Sequence, residues 1–177
     1  SCLRMYDSGK YDPAEVRQVL QEIGEQAQRA GEVIRRIRKF VRKEPAERIA
    51  ISLNELVSDV VRLTLLEARW NQVDIRTELA DPLPLVKVDK ILVEQVILNL
   101  VRNAIEAIAH AECTRREIAI ATCARADGAL EVAVRDTGPG LPQGGAEKIF
   151  QPFFTTKAQG MGMGLSLSLS IVQAHDG

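Results

Sequence analysis

Apolar residues recur through the first quarter of the chain at alternating steps of four and three: Val16, Leu20, Ile23, Ala27, Ala30, Ile34, Ile37 and Val41. That spacing is a heptad seam, and it predicts one long amphipathic helix with a narrow apolar stripe. Asp12-Pro13-Ala14-Glu15 supplies its start, with an aspartate to cap, a proline suited to the first turn and an acid placed for a capping box. Pro45 ends it, so the helix is predicted over residues 13–43. A seam left in water forfeits roughly 1.5–3 kcal/mol for each large side chain that a partner would bury. A second helix is therefore expected against it, packing on the chain's own globular part being the alternative.

Beyond Pro45 the pattern shortens. Ile49-Ala50-Ile51 reads as a short strand, and Ser52-Leu53-Asn54-Glu55 is a second capping box opening a helix to about Trp70. Val73 to Leu79 and Leu85 to Val88 alternate apolar with polar residues, as half-buried strands do. Asp89 caps a helix to about Ala111, and Glu117 to Ala124 with Leu130 to Val134 make a hairpin around Ala126-Asp127-Gly128. Residues 138–162, rich in glycine and proline, predict a long irregular loop before a last helix from Gly164 towards His175. The fold class expected is α+β: a two-layer α/β sandwich, its helices on one face of a largely antiparallel sheet, preceded by the long helix. The domains expected are residues 1–44 and 45–177.

Composition narrows this little. The 177 residues are 46% hydrophobic with a net charge of −1, which suits one compact domain plus an extra element and gives no general reason to expect nucleic acid or an acidic membrane. Cys2, Cys113 and Cys123 form no C-x-x-C pair, so zinc and redox chemistry fail on spacing and buried thiols are expected. No apolar run reaches 18 residues, so the piece is expected to make no membrane contact itself and to work in the cytoplasm, whatever anchors its parent upstream. The basic run Arg35, Arg36, Arg38, Lys39, Arg42 and Lys43 reads first as a solvated helix face, then as a dock for an acidic protein surface. It has no aromatic interleaving, which disfavours nucleic acid.

The candidate chemistry lies in four stretches. Asn99 and Asn103, four apart, place two amides on one helix face, where a carbonyl oxygen suits a Mg²⁺ already held by phosphates; capping of loops is the plainer use of such a pair. Asp136-Thr137-Gly138-Pro139-Gly140 puts an acid, expected to be buried, at a strand end before a sharp turn that lets a planar base approach the backbone, or is an ordinary Asp-x-Gly turn. Lys157 closes Phe-Phe-Thr-Thr-Lys, within reach of phosphates or of solvent. Gly160-Met161-Gly162-Met163-Gly164 then opens a helix, presenting backbone N–H groups to an anion. It matches neither a P-loop nor a dinucleotide fingerprint.

In order, these stretches resemble the ATP-binding domain of sensor histidine kinases, in the superfamily that also holds DNA gyrase B, MutL and the large ATP-dependent chaperones. Residues 94–107 look like its N box, 136–140 its first glycine box, 150–157 its F box and 160–165 its second glycine box; the helix from Glu25 to Lys43 looks like the second dimerisation helix of FixL-like or NtrB-like kinases. The resemblance implies an ATP and Mg²⁺ site in which Asn103 ligates the metal with Asn99 beside it, both counted as catalytic. It implies that Asp136 reads the adenine amine, that Gly138 and Gly140 shape the base pocket, and that Lys157, Gly160, Gly162, Gly164 and Leu165 meet the nucleotide, under a lid from Leu141 to Met161. It implies a homodimer through helix 13–43, whose hairpin's first helix would leave only a tail here, and a response-regulator receiver domain as partner.

Hydrolysing relatives carry a glutamate as general base four residues before the metal-binding asparagine. Here that position is Asn99, so transfer to another nucleophile is favoured over hydrolysis. Departures from the pattern are Met163 for an apolar residue of another shape, Leu169 for arginine and Asp176 for glycine, and the domain is expected to lack its last strands beyond Gly177. The resemblance also implies a phospho-acceptor histidine upstream of this chain. His110 reads as a surface residue and His175 as a structural one, so no acceptor is expected here. The alternatives are a serine protein kinase of the anti-sigma type and a nucleotide-binding dimerisation module without turnover.

Overall fold

The computed structural model of the chain describes residues 17–21, 23–24, 31, 48–141, 144–155, 157 and 162–177. The chain divides into two units, Ser1–Ala46 and Glu47–Gly177. In the first unit the described residues are helical, and two seam positions among them, Leu20 and Ile23, are exposed. The rest of the seam, its capping box and the basic run lie outside the described residues.

The second unit is built on two helices. Helix α1 (Leu53–Trp70) starts where the Ser52 hydroxyl accepts the Glu55 N–H at 3.3 Å, as a capping box requires. It buries Leu53, Leu56, Val57, Val60, Thr64 and Ala68, a stripe of helical period. Thr64 sits inside the core without cost because its hydroxyl donates to the Val60 carbonyl at 2.9 Å. Helix α2 (Lys90–Ala109) starts at Asp89, whose carboxylate accepts the N–H groups of Ile91 and Leu92 at 3.0 and 3.1 Å. It buries Val96, Ile97, Val101, Ala104, Ile105 and Ile108, and a third helix, α3 (Gly164–Gln173), packs against it.

Five strands form two sheets among the described residues. Strand β1 (Ile49–Ile51) pairs antiparallel with β3 (Val86–Val88); β4 (Glu117–Ala124) lies between β2 (Asp74–Leu79) and β5 (Leu130–Asp136). Ile118 and Ile120 of β4 are fully buried with the α1 and α2 side chains, so the core is one helix layer on one sheet face. Buried Thr122 ties the layers: its hydroxyl donates to Asn54 Oδ1 at 2.7 Å and accepts the Ala80 N–H at 3.1 Å.

The two-layer α+β expectation holds and two of the three strand pairings are antiparallel, with a correction to the rest of the sheet. The strands divide into two sheets, and β2 and β4 run parallel. Alternation of apolar residues reports a buried face and carries no direction, whereas a parallel neighbour needs a long crossover. Here β3 and the 20 residues of α2 supply it. The strand expected to stop at Val134 runs on to Asp136. Cys123 is exposed and Cys113 half-buried, against the expectation of buried thiols; alternation along β4 buries Ile118, Ile120 and Thr122 and turns Cys123 outward. Among the described residues no helix is long and apolar enough to cross a membrane.

Candidate functional site

Because α2 buries one face in the core, its opposite face is left for polar work. Asn99, Asn103, Glu106 and Ala107 lie there, half-buried, and each touches part of the chain that follows β5. Asn99 meets the first two turns of α3: its Nδ2 donates to Ser168 Oγ at 3.0 Å, and its Oδ1 lies where a Cβ on Gly164 would come within 2.5 Å. Asn103 Oδ1 accepts a hydrogen bond from the Lys157 ammonium at 3.1 Å, and the same ammonium is ion-paired to Glu106. Ala107 backs the turn after β5, where a Cβ on Gly138 would meet Ala107 Cβ at 3.2 Å. A Cβ at Gly138 would meet Asp136 Oδ1 at 2.8 Å before it met Ala107, and one at Gly164 would displace the Asn99 amide.

The turn after Asp136 is fixed from both sides. The Gly138 N–H donates to Asp136 Oδ1 at 2.8 Å, and Thr137 Oγ1 donates to the Arg115 carbonyl at 2.7 Å while accepting the Glu117 N–H at 2.9 Å. Asp136 Oδ2 has no hydrogen bond among the described residues, and the side chain is exposed, where a buried acid was expected. A strand end that turns towards solvent leaves its last residue uncovered. At the base of the turn the hydrogen bond from Arg115 holds the Glu117 carboxyl below its ordinary range, aided by the positive charge of Arg115 and Arg76.

Gly162 is in the left-handed region with φ 65°, and a Cβ there would strike the Phe153 and Phe154 backbone, so both conformation and space call for glycine. Phe153 is itself left-handed and exposed. Gly140 also has a positive φ, of 74°, and Leu165 is half-buried on the first turn of α3. That helix has no side-chain cap at Met163. Of the expected lid, residues 142–143, 156 and 158–161, Gly160 and Met161 among them, lie outside the described residues.

Both histidines have plain structural settings. His175 Nδ1 donates to the Ile171 carbonyl at 2.7 Å and Nε2 accepts the Asp89 N–H at 3.1 Å, which fixes the neutral tautomer and ties the end of α3 to the start of α2. His110 is the exposed C-cap of α2. Asp176, where glycine was the expected pattern, takes a φ of 65° and forms an ion pair with Arg48 at 3.1 Å.

The donor set fits a hard cation only in company. Among the described residues no group of three or more His, Cys, Asp or Glu could hold a metal. One amide oxygen and one carboxylate already carry the Lys157 ammonium, so a Mg²⁺ here would draw its remaining ligands from phosphates and water. Glu106, Thr137 and Ser168 escaped the sequence reading. Glu106 is one turn from Asn103 and Ser168 one turn from Gly164, the available signal. A cavity of about 190 Å³ at the start of α1, lined by Ser52, Glu55, Leu85 and Lys90, touches none of these groups.

Residues 88–177 match the family model of histidine kinase-, DNA gyrase B- and HSP90-like ATPases. The C4-dicarboxylate transport sensor protein DctS of Rhodobacter capsulatus is 38% identical over 175 residues, 99% of this chain and 26% of that protein. Sensor protein FixL of Bradyrhizobium diazoefficiens is 42% identical over 172 residues, 96% of this chain and 34% of that one. The chain thus spans a quarter to a third of these two relatives' length. Among solved structures, the catalytic domain of histidine kinase ThkA is 34% identical with a TM-score of 0.59, over 73% of this chain and 82% of that one. ThkA in complex with the response regulator protein TrrA superposes with a TM-score of 0.69 at 28% identity, over 99% of this chain and 49% of that one.

Proposed function

The chain belongs to the histidine kinase-, DNA gyrase B- and HSP90-like ATPases, among the catalytic domains of sensor histidine kinases, and on that premise we propose that it is the phosphoryl-donating part of a two-component kinase. It binds ATP with Mg²⁺ and passes the γ-phosphoryl to a histidine on another segment of its parent, which in turn phosphorylates a response-regulator aspartate. The observation that carries this is the joint placement of Asn99 against the start of α3 and of Asn103 against the Lys157 ammonium, on one face of α2.

In this reading Asp136 Oδ2 accepts from the adenine amine, while Gly138 and Gly140 keep the turn low enough for the base to lie on it. Asn103, with Asn99 beside it, holds the metal, which when bound neutralises charge on the phosphates. Gly160, Gly162 and Gly164 bring backbone N–H groups and the start of α3 to the phosphate chain, beside Leu165 and Lys157. An amide at position 99 takes no proton from water, which supports transfer over hydrolysis. The helix over residues 13–43 is proposed as a homodimer interface of residues 1–44, and the setting as the cytoplasm.

The test is transfer. Calorimetry should show Mg²⁺-dependent ATP binding that falls in Asp136→Asn, and γ-labelled ATP should label a supplied histidine-bearing helical hairpin but not the chain alone. Labelling of His175, both of whose ring nitrogens are already engaged, would overturn the assignment of the acceptor. Binding without transfer to the hairpin, or transfer to a serine, would overturn the histidine-kinase assignment.

A further inference from the structure

Ser168 is buried on the second turn of α3, four residues beyond Gly164. Its hydroxyl lies 3.0 Å from the Gly164 carbonyl and 3.0 Å from Asn99 Nδ2. A serine has one hydroxyl hydrogen, and a carbonyl only accepts, so that hydrogen goes to Gly164 and the oxygen's lone pair receives the Asn99 amine. The amide is then oriented with its amine turned into the protein and its carbonyl turned towards Gly164. Its oxygen consequently faces the N-terminus of α3, the positive end of that helix, and the absence of a Cβ at Gly164 is what leaves room for it. A flipped amide would turn two N–H donors towards the N–H groups of the first turn of α3.

We propose that Ser168 is a positioning residue that fixes which end of the Asn99 amide faces the nucleotide, and so makes the site select a metal-bound nucleotide over the free anion. This rests on the ATP reading given above. With the carbonyl outward, position 99 accepts: it suits a cation or its bound water and repels bare phosphate oxygens. With the amine outward, the same residue would donate to phosphate and the preference for metal would fade. Because the hydroxyl also bonds its own helix, the lock turns with α3, and the amide and the helix start move as one piece.

The experiment compares wild type, Ser168→Ala and Ser168→Thr in two measurements. The first is calorimetry with ATP in Mg²⁺, ATP in EDTA, and adenosine. Ser168→Ala should reduce the ratio of metal-bound to metal-free affinity about tenfold, as expected for one hydrogen bond to a buried partner. Adenosine affinity should stay unchanged, and Ser168→Thr should restore the ratio. The second is the side-chain NH₂ resonance of Asn99 in nucleotide-free protein. It should be protected from solvent exchange in wild type and Ser168→Thr, and unprotected in Ser168→Ala. An unchanged ratio in Ser168→Ala, an equal loss for adenosine, or an unprotected Asn99 amide in wild type would each overturn the proposal. Should wild type bind no nucleotide, the ATP reading falls and the selection of metal-bound nucleotide falls with it; the amide resonances then decide by themselves whether Ser168 positions Asn99.

Discussion

Two connections leave the ends of strand β5, and they are held in opposite ways. The turn before it closes on its own backbone: the Arg125 N–H donates to the Ala129 carbonyl at 2.8 Å, the Gly128 N–H to the Arg125 carbonyl at 3.0 Å, and the Ala129 N–H to Asp127 at 3.1 Å. The stretch after it is held by α2, through Gly138 on Ala107, Lys157 on Asn103 and Glu106, and Gly164 on Asn99. Their glycines differ accordingly. Gly128 has open space around it and a φ of 85°, so it answers to conformation; Gly164 has no unusual φ and no room, so it answers to its neighbour. A turn that satisfies itself keeps one shape, whereas a stretch shaped by a polar helix face can be reshaped by whatever binds there.

The largest break in that comparison is Gly164→Val, which drives carbon into Asn99. ATP affinity should fall by a hundredfold or more in calorimetry, while thermal melting moves by only a few degrees because the core is untouched. Asp136→Asn comes next: an amide in place of the charged acceptor should weaken ATP by about 1.5–3 kcal/mol, with the melting temperature held. Gly128→Ala reverses the pattern, costing about 1 kcal/mol of stability in denaturant titration through its positive φ and leaving ATP affinity as it was.

The smallest effect is at the base of the site. Glu117 is held below its ordinary carboxyl value, so the stability it contributes is present above the unfolded value of about 4.3 and is lost as pH falls through the lower folded value. Glu117→Gln should make the protein slightly less stable at neutral pH and flatten the acid limb, so that the two stability curves converge as pH falls below about 4.

Helix positions were legible because their ends are written locally. Ser52 with Glu55, and Asp89 with the N–H groups of Ile91 and Leu92, need only the next few residues to mark a start. The parallel pairing of β2 and β4 was not legible, since direction depends on the path of the chain between them. At the candidate site, Asn99, Asn103, Asp136, Gly138 and Lys157 announce themselves by residue type and spacing, and the structure sets Gly138 and Lys157 against the helix face that carries Asn99 and Asn103. Ser168 and Glu106 did not, because their partners lie 69 and 51 residues away and only folding brings them together. The exposure of Asp136 was missed for the same reason: a strand's last residue takes its surroundings from the neighbours that end there.

The stretch between β5 and α3 begins and ends on the same helix, at Ala107 and at Asn99. Its end points are therefore set before its length is. The entropy of closing a flexible loop grows only with the logarithm of its length, by about 0.6 kcal/mol for each doubling. Length between the two posts is thus inexpensive to vary, while the posts are not. The stretch is a cassette: the part between Leu141 and Phe150 can be exchanged for a longer or shorter insert, while Gly138, Lys157 and Gly164 keep the frame.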